Sequence, residues 1–91
     1  MKVKAIVTVT GRDKTGIIAG VSATLSECGV NILDISQTVL QDYFAMIMLV
    51  DLSGRKVSFK DLSEKLTETG RNMCMDIRIM REEIFDAMHR I

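Results

Sequence analysis

The residues Thr10-Gly11-Arg12-Asp13-Lys14-Thr15-Gly16 form a short polar run with a glycine near each end, and the apolar run Ile17-Ile18-Ala19-Gly20-Val21 follows at once. A polar loop that opens directly into a helix leaves the helix's first backbone N–H groups unpaired. The helix dipole adds partial positive charge there, so the chemistry on offer is the holding of an anion. Gly16 carries no Cβ, which lets a ligand approach the backbone closely. The same residues also serve purely structural ends: Asp13 suits a turn, Gly16 suits tight packing, and Arg12 and Lys14 suit a solvated surface.

Catalytic chemistry finds little else to work with. No paired carboxylates, no nucleophile beside a base and no metal-ligand cluster stand at a usable spacing, so neither an enzyme nor a metal site is expected. Cys28 and Cys74 are too far apart for a CxxC site. Met73-Cys74-Met75 lacks the second thiol that a copper carrier needs, and the methionines read as adaptable core. His89 lies on the tail with no partner for acid–base work.

The surrounding elements follow from periodicity. Val3, Ala5, Val7 and Val9 alternate with Lys2, Lys4, Ile6 and Thr8, which predicts strand one. Ile17, Ile18, Val21, Leu25 and Cys28 share one face of a first helix, with Gly29 as a left-handed stop. Asn31–Leu40 is rich in β-branched residues and reads as strand two. Gln41-Asp42 turns the chain into strand three, Tyr43–Leu52. Strand three is apolar on both sides of its alternation, which predicts cover on both faces.

Ser58-Phe59-Lys60-Asp61 reads as a capping box. It opens a second helix that buries Phe59, Leu62 and Leu66 and closes at Gly70. Met73–Met80 alternates as strand four. The order β-α-β-β-α-β predicts an α+β, ferredoxin-like sandwich, with strands one and three central in a four-stranded antiparallel sheet. Two helices would cover one face, and a tail helix from residue 81 or 82 to Ile91 would carry Ile84, Phe85, Met88 and Ile91. That tail, or a second subunit, is expected over the other face. The strand-two edge has neither proline nor lysine to guard it, so a homodimer or a higher homo-oligomer is expected.

Composition narrows the partners. The 91 residues make one domain over 1–91, and 47% hydrophobic with 26% charged residues is ordinary for a folded protein. Twelve basic and twelve acidic residues cancel, which removes the main driving force for nucleic-acid binding. No run approaches membrane-spanning length and no leader pattern opens the chain, so a cytoplasmic protein with reduced thiols is expected.

The strand ending in Val9-Thr10-Gly11-Arg12-Asp13-Lys14-Thr15-Gly16-Ile17-Ile18, with the helix that closes in Gly29-Val30-Asn31-Ile32, resembles an ACT domain. The likeness covers nearly the whole chain. Through Asp34-Ile35-Ser36-Gln37-Thr38-Val39, Asp42-Tyr43-Phe44 and Ile84-Phe85 with Met88-His89-Arg90-Ile91, it is similar to the short free-standing ACT proteins, and also to the ACT halves of glycine-cleavage transcriptional regulators. Thr15 stands where the family commonly has proline, which leaves the loop less rigid.

The resemblance implies a regulatory module, without a cofactor, that binds a small molecule, usually an amino acid, between two subunits. The implied site is Arg12, Asp13, Gly16, Ile17, Ile18, Asn31 and Ile32. The N–H groups of Gly16, Ile17 and Ile18 would take the carboxylate, Asp13 the ammonium, and the Asn31 amide either group. Two alternatives stand beside it. A protein-interaction adaptor would use the tail or the sheet edge. An acylphosphatase-like hydrolase would use Arg12 and Asn31 together on an anion.

Overall fold

Strict alternation in the first strand sets the architecture. In the computed structural model, which describes residues 3–88, β1 (Lys4–Arg12) buries Ala5, Val7 and Val9 completely and leaves the residues between them half-buried or exposed. β3 (Tyr43–Asp51) lies antiparallel beside it and buries Phe44, Met46, Met48 and Val50 in the same layer. The remaining elements are α1 (Ile17–Glu27), β2 (Asn31–Leu40), α2 (Phe59–Met73), β4 (Met75–Arg81) and α3 (Glu82–Met88). Sheet order is β2-β3-β1-β4 with every neighbour antiparallel, so β1 and β3 are central as expected. This is the ferredoxin-like fold.

Local chemistry explains the helix ends. Gly29 takes φ 74°, Val30 N–H donates to Leu25 O at 2.9 Å and Gly29 N–H to Ser26 O at 3.0 Å, which together form a Schellman motif. At α2 the Ser58 hydroxyl accepts from the Asp61 N–H at 3.0 Å, which caps the helix where the sequence pattern placed the cap. Helix α2 does not close at Gly70, however. It runs on to Met73, and Cys74 supplies the left-handed cap at φ 57°. Gly70 is buried against β4: a Cβ there would sit 2.6 Å from Met75 O, so this glycine serves close packing. Strand four accordingly starts at Met75 rather than Met73.

Within one chain, no described element covers the second face of β3. Its helix-side residues are buried, but Tyr43, Ala45 and Ile47 on the other side are exposed, Ile47 by 48%. The tail helix α3 packs on β1 and β4 and makes no contact with β3. Phe85 is half-buried and shares a small apolar depression with Ile6, Thr8, Arg78 and Met80. The part of the predicted tail that holds His89 and Ile91 lies outside the described residues.

The core is one layer between the sheet and the two helices. Leu25 and Val21 from α1 and Leu62 and Leu66 from α2 are fully buried against β1 and β3. Helices α1 and α2 meet through a Thr24–Thr69 hydroxyl pair at 2.6 Å and through Gly20 against Met73. Strand β2 shares in this only through half-buried Ile32; its other residues are exposed, and a bulge interrupts its register between Ile32 and Asp34.

Candidate functional site

Strand β1 extends through Arg12, so the loop shrinks to Asp13–Gly16. Two features hold it. The Asp13 N–H donates to Asp42 O at 2.8 Å, which ties the loop to the β2–β3 turn. Gly16 then starts α1 as its N-cap at φ 85°, ψ 2°, a left-handed conformation that side chains resist. A Cβ on Gly16 would meet nothing within 4 Å. The glycine is therefore required by backbone conformation and not by packing. No side chain caps α1, so its leading N–H groups have no side-chain acceptor.

A groove of about 350 Å³ opens beside this helix start. One wall is the loop and first turn (Asp13, Lys14, Gly16, Ile17, Ile18 and Ala19), and the other is β2 with the buried ring of Phe44 behind it. Gln37 and Val39 are the β2 residues that reach it. Ile17 is 97% buried as core, while Ile18 is partly exposed on the rim. The groove thus combines backbone donors, one carboxylate, one ammonium, one amide and an apolar floor. That mixture matches an amphoteric small molecule better than a purely apolar one.

The other expected residues lie elsewhere. Asn31 and Ile32 line a second depression of about 510 Å³ with Ser22, Ser26, Gly29 and Val30, at the far end of α1. An 11-residue helix is about 16 Å long, which separates the two depressions within one chain. Arg12 is in neither. It pairs with Tyr43 in the sheet register, its guanidinium lies 5.5 Å from that ring, and it sits 3.9 Å from Asp42 with its side chain 74% exposed. Strand alternation puts this pair on the helix-free face.

Arg12 and Asn31 therefore cannot act together on one anion. The register places Asn31 level with Lys4, eight strand residues from Arg12, or about 26 Å. Gln37, Val39, Phe44, Ser22 and Ser26 were not anticipated as site residues. Gln37 alone carried a readable signal: it interrupts the apolar alternation of Ile35 and Val39. Among the described residues no group of three or more His, Cys, Asp or Glu side chains is placed to hold a metal ion.

The family model for the ACT domain matches residues 4–80, which span the whole sandwich from β1 into β4. The chain belongs to the ACT domain family. A UPF0237 protein of Clostridium acetobutylicum is 54% identical over 88 residues, covering 97% of this chain and 99% of that one. The solved structure of an ACT domain protein from Streptococcus pneumoniae is 45% identical and superposes with a TM-score of 0.82, covering 98% of this chain and all of that one. A protein assigned as a glycine cleavage system transcriptional repressor shares the fold at 21% identity and TM-score 0.76, over 89% of this chain and 46% of its own. The helix-start groove and the bare β2 edge are thus features of an ACT domain that spans nearly the full length of its free-standing relatives.

Proposed function

We propose that this ACT domain is a non-catalytic regulatory sensor that acts as a homodimer and binds an α-amino acid at the groove beside Gly16. The observation that carries this reading is the start of α1: a left-handed glycine, no side-chain cap, and an open groove whose donors stand next to Asp13. A carboxylate is suited to the N–H groups of Gly16, Ile17 and Ile18, and an ammonium to Asp13.

The exposed β2 edge supports the dimer in this reading. Ile18 on α1 and Leu33, Ile35 and Val39 on β2 are between 37% and 51% exposed along one flank, beside an unpaired strand edge. Antiparallel pairing of two such edges about a two-fold axis sets the start of one β2 beside the end of the other. The depression at Asn31 and Ile32 of one copy then adjoins the groove at Gly16 and Val39 of the second. In this assembly Asn31 rejoins the site from the partner subunit, and a ligand touches both copies.

The test is a thermal-shift screen of the purified protein against the standard amino acids, repeated on Asn31→Ala. A true ligand at a hundred times its dissociation constant adds about 2.7 kcal/mol of stability. A shift with one amino acid that is lost in the variant supports the sensor, and silence across the panel rejects it. A second reading, protein docking without a ligand, draws on Leu40, Tyr43 and Ile47, which are 71%, 58% and 48% exposed on the helix-free face. Removal of residues 82–91 with fold and dimer intact, but partner capture lost, would favour it.

A further inference from the structure

The helix-facing side of the sheet is a grid in which nearly every position is apolar. Across the strands, in register, its rows are Val39, Phe44, Gly11 and Met75; Gln37, Met46, Val9 and Ile77; Ile35, Met48, Val7 and Ile79; and Ile32, Val50, Ala5 and Arg81. Two positions break the pattern. Arg81, at the end of β4, is accounted for by its stacking 4.6 Å over the Phe59 ring. Gln37 stands in the second row, and its side-chain amide takes no part in the side-chain hydrogen bonds of the described residues. A leucine there would extend the apolar run of Ile35 and Val39. Gln37 instead lines the groove beside the start of α1.

Position gives the amide a use. The loop that offers donors and Asp13 lies by the Val39–Phe44 row, and Gln37 is one row farther along β2, about 7 Å away. Between the two the floor is Val39 and the Phe44 ring. A bound molecule therefore meets polar groups at one end, apolar surface in the middle and a carboxamide at the other end. A primary amide is both donor and acceptor, so its best complement is another amide, which can make two hydrogen bonds with it at once.

From this arrangement we infer that Gln37 is the specificity-determining residue of the groove, and that it selects α-amino acids whose side chain has an apolar stem ending in a carboxamide, of glutamine length. The inference rests on the amino-acid-sensor reading above. Short ligands such as alanine stop over Val39 and never reach Gln37. Methionine has the right length and fills the same floor, but it makes no hydrogen bond with the Gln37 amide and so forgoes what a carboxamide ligand gains there.

Titration calorimetry with L-glutamine, L-methionine and L-alanine on the wild-type protein and on Gln37→Leu tests this. The substitution lies at an exposed position, and circular dichroism confirms that the variant is folded. Glutamine is expected to bind wild type about 10-fold more tightly than methionine, the scale of one or two well-placed hydrogen bonds. Gln37→Leu should abolish or invert that preference while methionine binding is kept. Binding with glutamine no tighter than methionine, or an unchanged ratio in Gln37→Leu, overturns the role of Gln37 and leaves the sensor standing. No heat with any of the three, together with no thermal shift across the standard amino acids, overturns both.

Discussion

Substituting alanine for two glycines separates packing from intrinsic helix propensity. Gly70 and Gly20 both lie inside helices, and an exposed helix interior gains up to about 1 kcal/mol when glycine becomes alanine. At Gly70 the new Cβ would stand 2.6 Å from Met75 O and 3.1 Å from Ile77 Cγ1. The carbonyl belongs to backbone pinned by the left-handed turn at Cys74 and by pairing of β4 with β1, so it has little room to retreat. Overpacking of this kind costs about 1–3 kcal/mol, which offsets or outweighs the propensity gain and leaves a net loss of up to about 2 kcal/mol.

At Gly20 the contact is Met73 Sδ at 2.8 Å, the end of a flexible, half-buried side chain that can swing aside. Gly20→Ala should therefore be neutral or stabilising by up to about 1 kcal/mol. For a domain of this size each kcal/mol moves Tm by about 4–8 °C, so thermal and urea denaturation followed by circular dichroism resolves the difference. Equal stabilisation by both substitutions would refute the claim that Gly70 is retained for helix–sheet contact.

Other consequences can be checked with the same material. Ser58→Ala removes the hydroxyl that accepts from the Asp61 N–H and should cost about 1 kcal/mol in urea unfolding. Arg12→Ala, on the face away from the groove and in an exposed ion pair, should change stability by less than about 0.5 kcal/mol. It should also leave amino-acid affinity unchanged by calorimetry, and a marked loss would return Arg12 to the site. Ile35→Lys places a charge on the β2 edge and should weaken self-association at least 10-fold in sedimentation equilibrium. An unchanged dimer would move the interface elsewhere.

Much of the fold is legible because the alternation in β1 and β4 and the stripes of α1 and α2 each have one dry face. Periodicity reports that asymmetry directly. It is silent at β3 on what does the covering: Ile47 and Leu49 extend the apolar pattern onto a face that no described element of this chain covers, because apolar residues alone do not say what buries them. It misleads at Gly70, where a glycine inside a helix looks like a stop until β4 is seen packed against it. The site was legible only in part. The loop is local in sequence, so Asp13, Gly16, Ile17 and Ile18 come together, whereas Asn31 and Ile32 depend on the length of α1, which carries them to its other end. Gln37 shows in the sequence only as a break in the alternation of Ile35 and Val39; its place beside the start of α1 depends on strand pairing, which the sequence pattern does not reveal.

The separation of the two depressions bears directly on regulation. In a single chain the uncapped helix start and the Asn31 amide lie apart, the first in the groove at Gly16 and the second in the depression at the far end of α1. If the site completes itself only when two β2 edges meet, the free energy of ligand binding and that of association become one quantity. A ligand that binds the paired state alone shifts the monomer–dimer equilibrium by its full binding free energy, and association raises ligand affinity by the same factor. The bare β2 edge, which adds almost nothing to the monomer's own core, then has a physical rationale. A strand buried within one chain could not report whether a second chain, and the ligand between them, is present.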